Sequence, residues 1–129
     1  MNLEISGQEK FFDYYEVEAR NMVRMEECAE LIQAISKMRR ASRHGVVDKE
    51  SDVYCNLVEE MADVLICIEQ LKIEYEITDS RLQVMINKKV KRQEERLSKV
   101  LASPEQPKYA IERAMERCRE KLSSEGAVQ

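Results

Sequence analysis

Long amphipathic segments with few interruptions constrain this chain more than any other feature. Residues 25–40, MEECAELIQAISKMRR, place Met25, Cys28, Ala29, Leu31, Ile32, Ile35 and Met38 on one broad arc of a helix. Residues 56–71, NLVEEMADVLICIEQL, do the same with Leu57, Met61, Val64, Leu65, Ile68 and Leu71. Only three glycines and two prolines interrupt the chain. Glu, Lys, Arg, Leu and Met are abundant and no stretch reads as a strand, so the expected fold is all-α. At 129 residues the chain suffices for one small domain with a modest core.

Four or five helices are expected. The stretch QEKFFDYYEVEARNMV is helical and either runs into residues 25–40 or breaks before them. A loop follows, with Gly45 as a stop and Ser51 or Asp52 as the next cap. A second long helix covers residues 53–75, and Thr78 or Asp79 caps a third over residues 80–101. SPEQP is the clearest break, and KYAIERAMERCREKL is a last helix before a polar end. The division expected is a helical domain at residues 1–103 and a C-terminal helix with its tail at 104–129, the latter serving assembly.

Two acidic pairs call for an explanation, because carboxylates are costly beside a core. Glu27 lies at the border of the first apolar arc, with Glu30 one step further round and Lys37 along the axis from Glu30. On the second helix Glu60 takes the border position, Asp63 lies just outside, and Asn56 precedes Glu60 by one turn. If the two helices pack antiparallel, four carboxylates converge on one end of a groove. They repel one another unless protonated or neutralised by cations, and all-oxygen ligands favour Mg²⁺ or Mn²⁺. A di-iron centre would use Glu-x-x-His pairs, and the single histidine, His44, stands in the loop without such a partner. Taken singly, each acid reads as a surface residue whose stem covers the edge of the core. The repetition at matched angles favours a metal site.

The net charge of −4 makes nucleic-acid polymers a poor first guess for a partner. Cys28, Cys55, Cys67 and Cys118 show no C-x-x-C spacing, which fits a reducing, cytoplasmic setting. Three of them fall in apolar patterns, where cysteine acts as a small hydrophobe. The first residues lack the layout of a signal peptide, and no apolar run is long enough to span a bilayer, so no membrane partner is expected.

The segment EECAE, residues 26–30, followed by EMAD, residues 60–63, resembles the EExxE…ExxD signature of the all-α nucleoside triphosphate pyrophosphohydrolases. That group includes MazG-like proteins, dimeric dUTPases, dCTP pyrophosphatases and phosphoribosyl-ATP pyrophosphatase. The resemblance covers residues 22–96. It implies a MazG-like bundle of four to five helices completed by oligomerisation, as a homodimer or homotetramer. It also implies Mg²⁺ held by Glu27, Glu30, Glu60 and Asp63, and hydrolysis of a (deoxy)nucleoside triphosphate to monophosphate and pyrophosphate. Either Glu26 or Glu59 would act as general base. Among the basic residues of INKKVKRQEER, Lys88, Lys89 and Arg92 would reach the triphosphate, with Lys37 a further candidate. Arg96 and Lys91 read more simply as a solvated face. Asn56 contacts base or sugar, or caps a neighbouring carboxylate. Phe11, Phe12, Tyr14 and Tyr15 offer aromatic contacts to a base, or belong to a core or interface. The chain is shorter than the dimeric dUTPases, lacks tryptophan, and matches nothing familiar beyond Pro104. The alternatives are a phosphoribosyl-ATP pyrophosphatase and a non-catalytic helical scaffold.

Overall fold

The computed structural model describes residues 3–42, 45–102 and 106–126, so His44 and the break at 103–105 lie outside the described residues. Among these residues the fold is all-α, with five helices and no strand. They are α1 (Gln8–Tyr14), α2 (Val17–Ala41), α3 (Asp52–Glu74), α4 (Asp79–Ala102) and α5 (Gln106–Gly126). The first helical stretch therefore breaks, at Tyr15 and Glu16, where both residues are extended. Ser51 is the cap of α3, its hydroxyl accepting the backbone N–H of Tyr54 at 3.2 Å. Thr78 caps α4 in the same way, accepting the N–H of Arg81 at 3.2 Å. α2 stops at Ala41, where the Ser42 hydroxyl and N–H both turn back to the Met38 carbonyl. Gly45 sits beyond that end at φ 72°, a backbone that a side chain would strain.

Two compact units make up the chain, Met1–Ile77 and Thr78–Gln129. In the first, α2 and α3 form an antiparallel hairpin, as cross-helix pairs from Arg20–Glu74 to Glu30–Glu60 require. The covered helix faces coincide only in part with those that hydrophobic periodicity favours. Along α2 the covered positions include Arg20, Arg24, Glu27, Leu31, Ala34 and Met38, stepping by three and four. Along α3 they include Val53, Asn56, Glu60, Asp63, Cys67, Gln70 and Glu74. The α2 stripe is polar toward its N-terminus and apolar at Leu31, Ala34 and Met38, while α3 is covered over a broader face that also takes in Leu57, Val64, Leu65, Ile66 and Leu71.

The apolar arcs expected to point inward are covered only in part, at Leu31, Met38, Leu57, Val64, Leu65 and Leu71. Met25 and Ile32 are each 68% exposed, and Ile35 on α2 with Val58, Met61 and Ile68 on α3 are exposed as well. Among described apolar residues only Ala34 and Cys67 are fully buried. Of the cysteines, Cys67 alone behaves as a core hydrophobe, while Cys28, Cys55 and Cys118 are exposed free thiols.

At the open end of the hairpin, buried charges do the work of a core. Arg24, 5% exposed, lies 2.6 Å from Glu74 Oε2 and donates to Gln70 Oε1 at 3.4 Å and to Asn21 Oδ1 at 2.9 Å. Arg20 pairs with the other Glu74 oxygen at 3.3 Å and donates to the carbonyls of Phe12 and Tyr15, which fastens α1. The Phe12 ring lies under both guanidinium groups, 4.6 Å from Arg20 and 5.9 Å from Arg24. Gln70 completes the link by donating to Gln8 at 2.8 Å. Before α1, residues 3–6 line a cavity of about 440 Å³ together with Ala62, Leu65 and Ile66 of α3.

The second unit contains α4 and α5. Every described residue of α4 from Gln83 to Ala102 is exposed, including Val84, Met85, Leu97 and Leu101. No helix among the described residues is long and apolar enough to cross a membrane.

Candidate metal centre

The antiparallel pairing of α2 with α3 brings the two acidic motifs to the same level. Glu27, Glu30 and Glu60 each offer a carboxylate oxygen, and these oxygens all lie within 4.8 Å of one another. Asp63 lies one turn along α3, outside that group of three but close enough to act electrostatically on both Glu27 and Glu60. Glu27 and Glu60 are half-buried in the seam, whereas Glu30 is exposed at its edge.

The environment opposes ionisation. Burial raises the pKa of Glu27, and the charges of Asp63, Glu30, Glu60 and Glu26 raise it further. Glu60 is raised first by burial and then by Glu30, Asp63 and Glu59. One of its oxygens, Oε2, is enclosed without a hydrogen-bond partner. An enclosed acceptor without a donor, among acids that repel each other, is a place where a cation relieves two costs at once. The donor set is all oxygen, so a hard divalent ion fits it better than a thiophilic one.

The candidate bases lie on the rim. Glu26 and Glu59 are both exposed, and each adds to the repulsion, Glu26 on Glu27 and Glu59 on Glu60. Glu59 also borders an open cavity of about 460 Å³ between α2 and α3, lined with Lys37, Asp52, Val53, Cys55 and Asn56. Lys37 and Asn56, separated by nineteen positions in sequence, thus share one pocket near the acids.

Lys88, Lys89 and Arg92 belong to the other unit. They border a cavity of about 480 Å³ together with Met85, Lys91 and Glu95. Lys91, expected on a solvated face, is exposed, as the other three cations are. None of the four makes an ion pair among the described residues. Of the aromatic residues, Phe12 is engaged beneath the two arginines, while Tyr14 is 81% exposed and stacks edge-on against Tyr15 at 4.9 Å.

Sequence reasoning missed the cluster of Arg20, Arg24, Gln70 and Glu74. Its signal was present in the spacing, because Arg20 and Arg24 precede Glu27 by seven and three positions on the same stripe. Gln70 and Glu74 likewise continue the stripe of Glu60, Asp63 and Cys67.

No family model, curated protein or solved structure matches the chain.

Proposed function

We propose that the chain is a Mg²⁺-dependent nucleotide pyrophosphohydrolase of the all-α, MazG-like kind, working as a homodimer or homotetramer. The observation that carries this reading is the meeting of Glu27, Glu30 and Glu60 across the α2–α3 seam, with Asp63 one turn away. The EExxE…ExxD spacing supports it from the sequence side.

In this reading Glu27, Glu30, Glu60 and Asp63 hold the metal, which when bound neutralises phosphate charge and lowers the pKa of water. Glu26 or Glu59 accepts the proton of the attacking water. The water oxygen bonds to the α-phosphorus, the bond from that phosphorus to the αβ-bridging oxygen breaks, and the pair of electrons leaves with pyrophosphate. Lys37 and Asn56 bind the nucleotide beside the acids. α4 supplies cations to the departing pyrophosphate from among Lys88, Lys89 and Arg92. The exposed apolar stripes of α2 and α3 form the contact between copies.

The test is a hydrolysis screen of canonical and damaged nucleoside triphosphates with Mg²⁺, resolving pyrophosphate from phosphate. A monophosphate and pyrophosphate in equal amounts are expected, with no diphosphate on the way. Phosphate with a diphosphate would place the attack at the wrong phosphorus, and no turnover on any substrate would favour the scaffold.

A second expectation concerns α4. Losing one charge-assisted contact to phosphate costs on the order of 1.5–3 kcal/mol, about one to two decades in kcat/KM. Alanine at one of Lys88, Lys89 or Arg92 should therefore lower kcat/KM at least about tenfold. The melting temperature should barely move, since all three are exposed and form no ion pair among the described residues. Wild-type kinetics in all three single variants would move the triphosphate contact to Lys37.

A further inference from the structure

Two helices normally fix their register through apolar side chains that interlock along the seam. Between the open end of this hairpin and its acidic level, Cys67 is the one fully buried apolar residue among those described. Val64, Leu65, Ile66 and Leu71 are half-buried on α3, and among the polar groups Arg24 and Gln70 are buried with Arg20 and Glu74 half-buried beside them. The directional ties from α2 to α3 next to the acids are the 2.6 Å ion pair of Arg24 with Glu74, the hydrogen bond to Gln70, and the 3.3 Å pair of Arg20 with Glu74. Arg24 is one turn from Glu27, and Gln70 is two turns from Asp63.

We infer that Arg24 is a positioning residue for the acidic site, acting through Glu74 and Gln70 to hold the level at which Glu27 and Glu30 face Glu60 and Asp63. A slip of one residue moves a helix by about 1.5 Å along its axis and turns its side chains by about 100°. Sites of this kind tolerate displacements of only about 0.5 Å. Arginine suits the task because its planar fork reaches Glu74, Gln70 and Asn21 together, which an ammonium group does not reproduce. The inference rests on the reading of the acids as a metal site.

The test is Mn²⁺ titration of the full chain, with free Mn²⁺ followed by electron paramagnetic resonance, below the melting temperature of each variant. Arg24→Lys keeps the charge and loses the fork. Glu74→Asp keeps the charge and shortens the arm by one methylene, and it decides the matter if Arg24→Lys does not fold. Either variant, folded by circular dichroism, should bind Mn²⁺ at least about tenfold more weakly, while Arg39→Lys on the exposed side of α2 should bind as wild type does. A lower melting temperature with Mn²⁺ affinity within about twofold of wild type would show a merely structural arginine and overturn the inference. Wild-type chain that binds no Mn²⁺ would overturn the metal reading itself, and the positioning role with it.

Discussion

Glu60→Gln should abolish pyrophosphate release and the rise in melting temperature caused by Mg²⁺ or Mn²⁺, and should leave the metal-free protein more stable than wild type. The first half follows from mass action. A metal at a hundred times its Kd stabilises the folded state by about 2.7 kcal/mol. For a chain of this size that is a shift on the order of 10 °C. The second half follows from electrostatics. Glu60 is half-buried among Glu30, Asp63 and Glu59, and its pKa stands above the ordinary 4.5. A carboxyl group raised on folding favours the folded state below 4.5, and that contribution is lost as pH rises through the raised value. At neutral pH the ionised group is a burden, which an amide of the same shape removes. The advantage of the variant should thus grow from pH 4.5 upward.

Glu74 works in the opposite direction and in a different window. Burial pushes it up, but the guanidinium groups of Arg24 and Arg20 outweigh burial and hold its pKa below 4.5. Its contribution is present above 4.5 and lost only as pH falls through the lowered value. Melting temperatures measured without metal from pH 4.5 to 8 isolate the Glu60 effect. A variant less stable than wild type throughout would refute the repulsion, and an unchanged metal shift would remove Glu60 from the site.

The second large effect should come from Ile32→Asp. Ile32 is 68% exposed on the single chain, so a charge there costs the isolated protomer little. In a dry contact between copies the same carboxylate loses its water without gaining a partner, at an effective cost of several kcal/mol. That amounts to two decades or more in the association constant. Light scattering or sedimentation across a concentration series should show an assembly for wild type and a protomer for the variant, with helical content kept. An unchanged mass would clear the outer stripe of α2 and point to α4 and α5, whose apolar residues are also exposed.

The elements themselves were legible in the sequence. The expected helices at residues 53–75 and 80–101 differ from α3 and α4 by one residue at each end. Caps explain this accuracy, because the hydroxyls of Ser51 and Thr78 act within three residues. The acids were legible for a similar reason, since spacing along a helix fixes a common face. The inward face was legible only in part, since Leu31, Met38, Leu57, Val64, Leu65 and Leu71 are covered while Met25, Ile32, Ile35, Met61 and Ile68 are not. Periodicity reveals that a helix has two unlike sides without revealing which of them another helix covers. Arg24 and Gln70 look like surface residues until Glu74 and Gln8 arrive from elsewhere in the chain to pair with them. Contacts of that kind depend on tertiary pairing.

The charged seam also bears on when the fold can form. Among the described residues only Ala34 and Cys67 are fully buried apolar groups, the rest of the hairpin's apolar residues being half-buried or exposed, so its closure leaves much of the hydrophobic burial unrealised. Ion pairs set its register but contribute little net driving force, because each charge must first shed its water. If a second copy covers the outer stripes, most of the apolar burial comes with that encounter. Stability would then rise with chain concentration, so that dilution would lower the melting temperature of the wild-type chain and leave that of Ile32→Asp where it was.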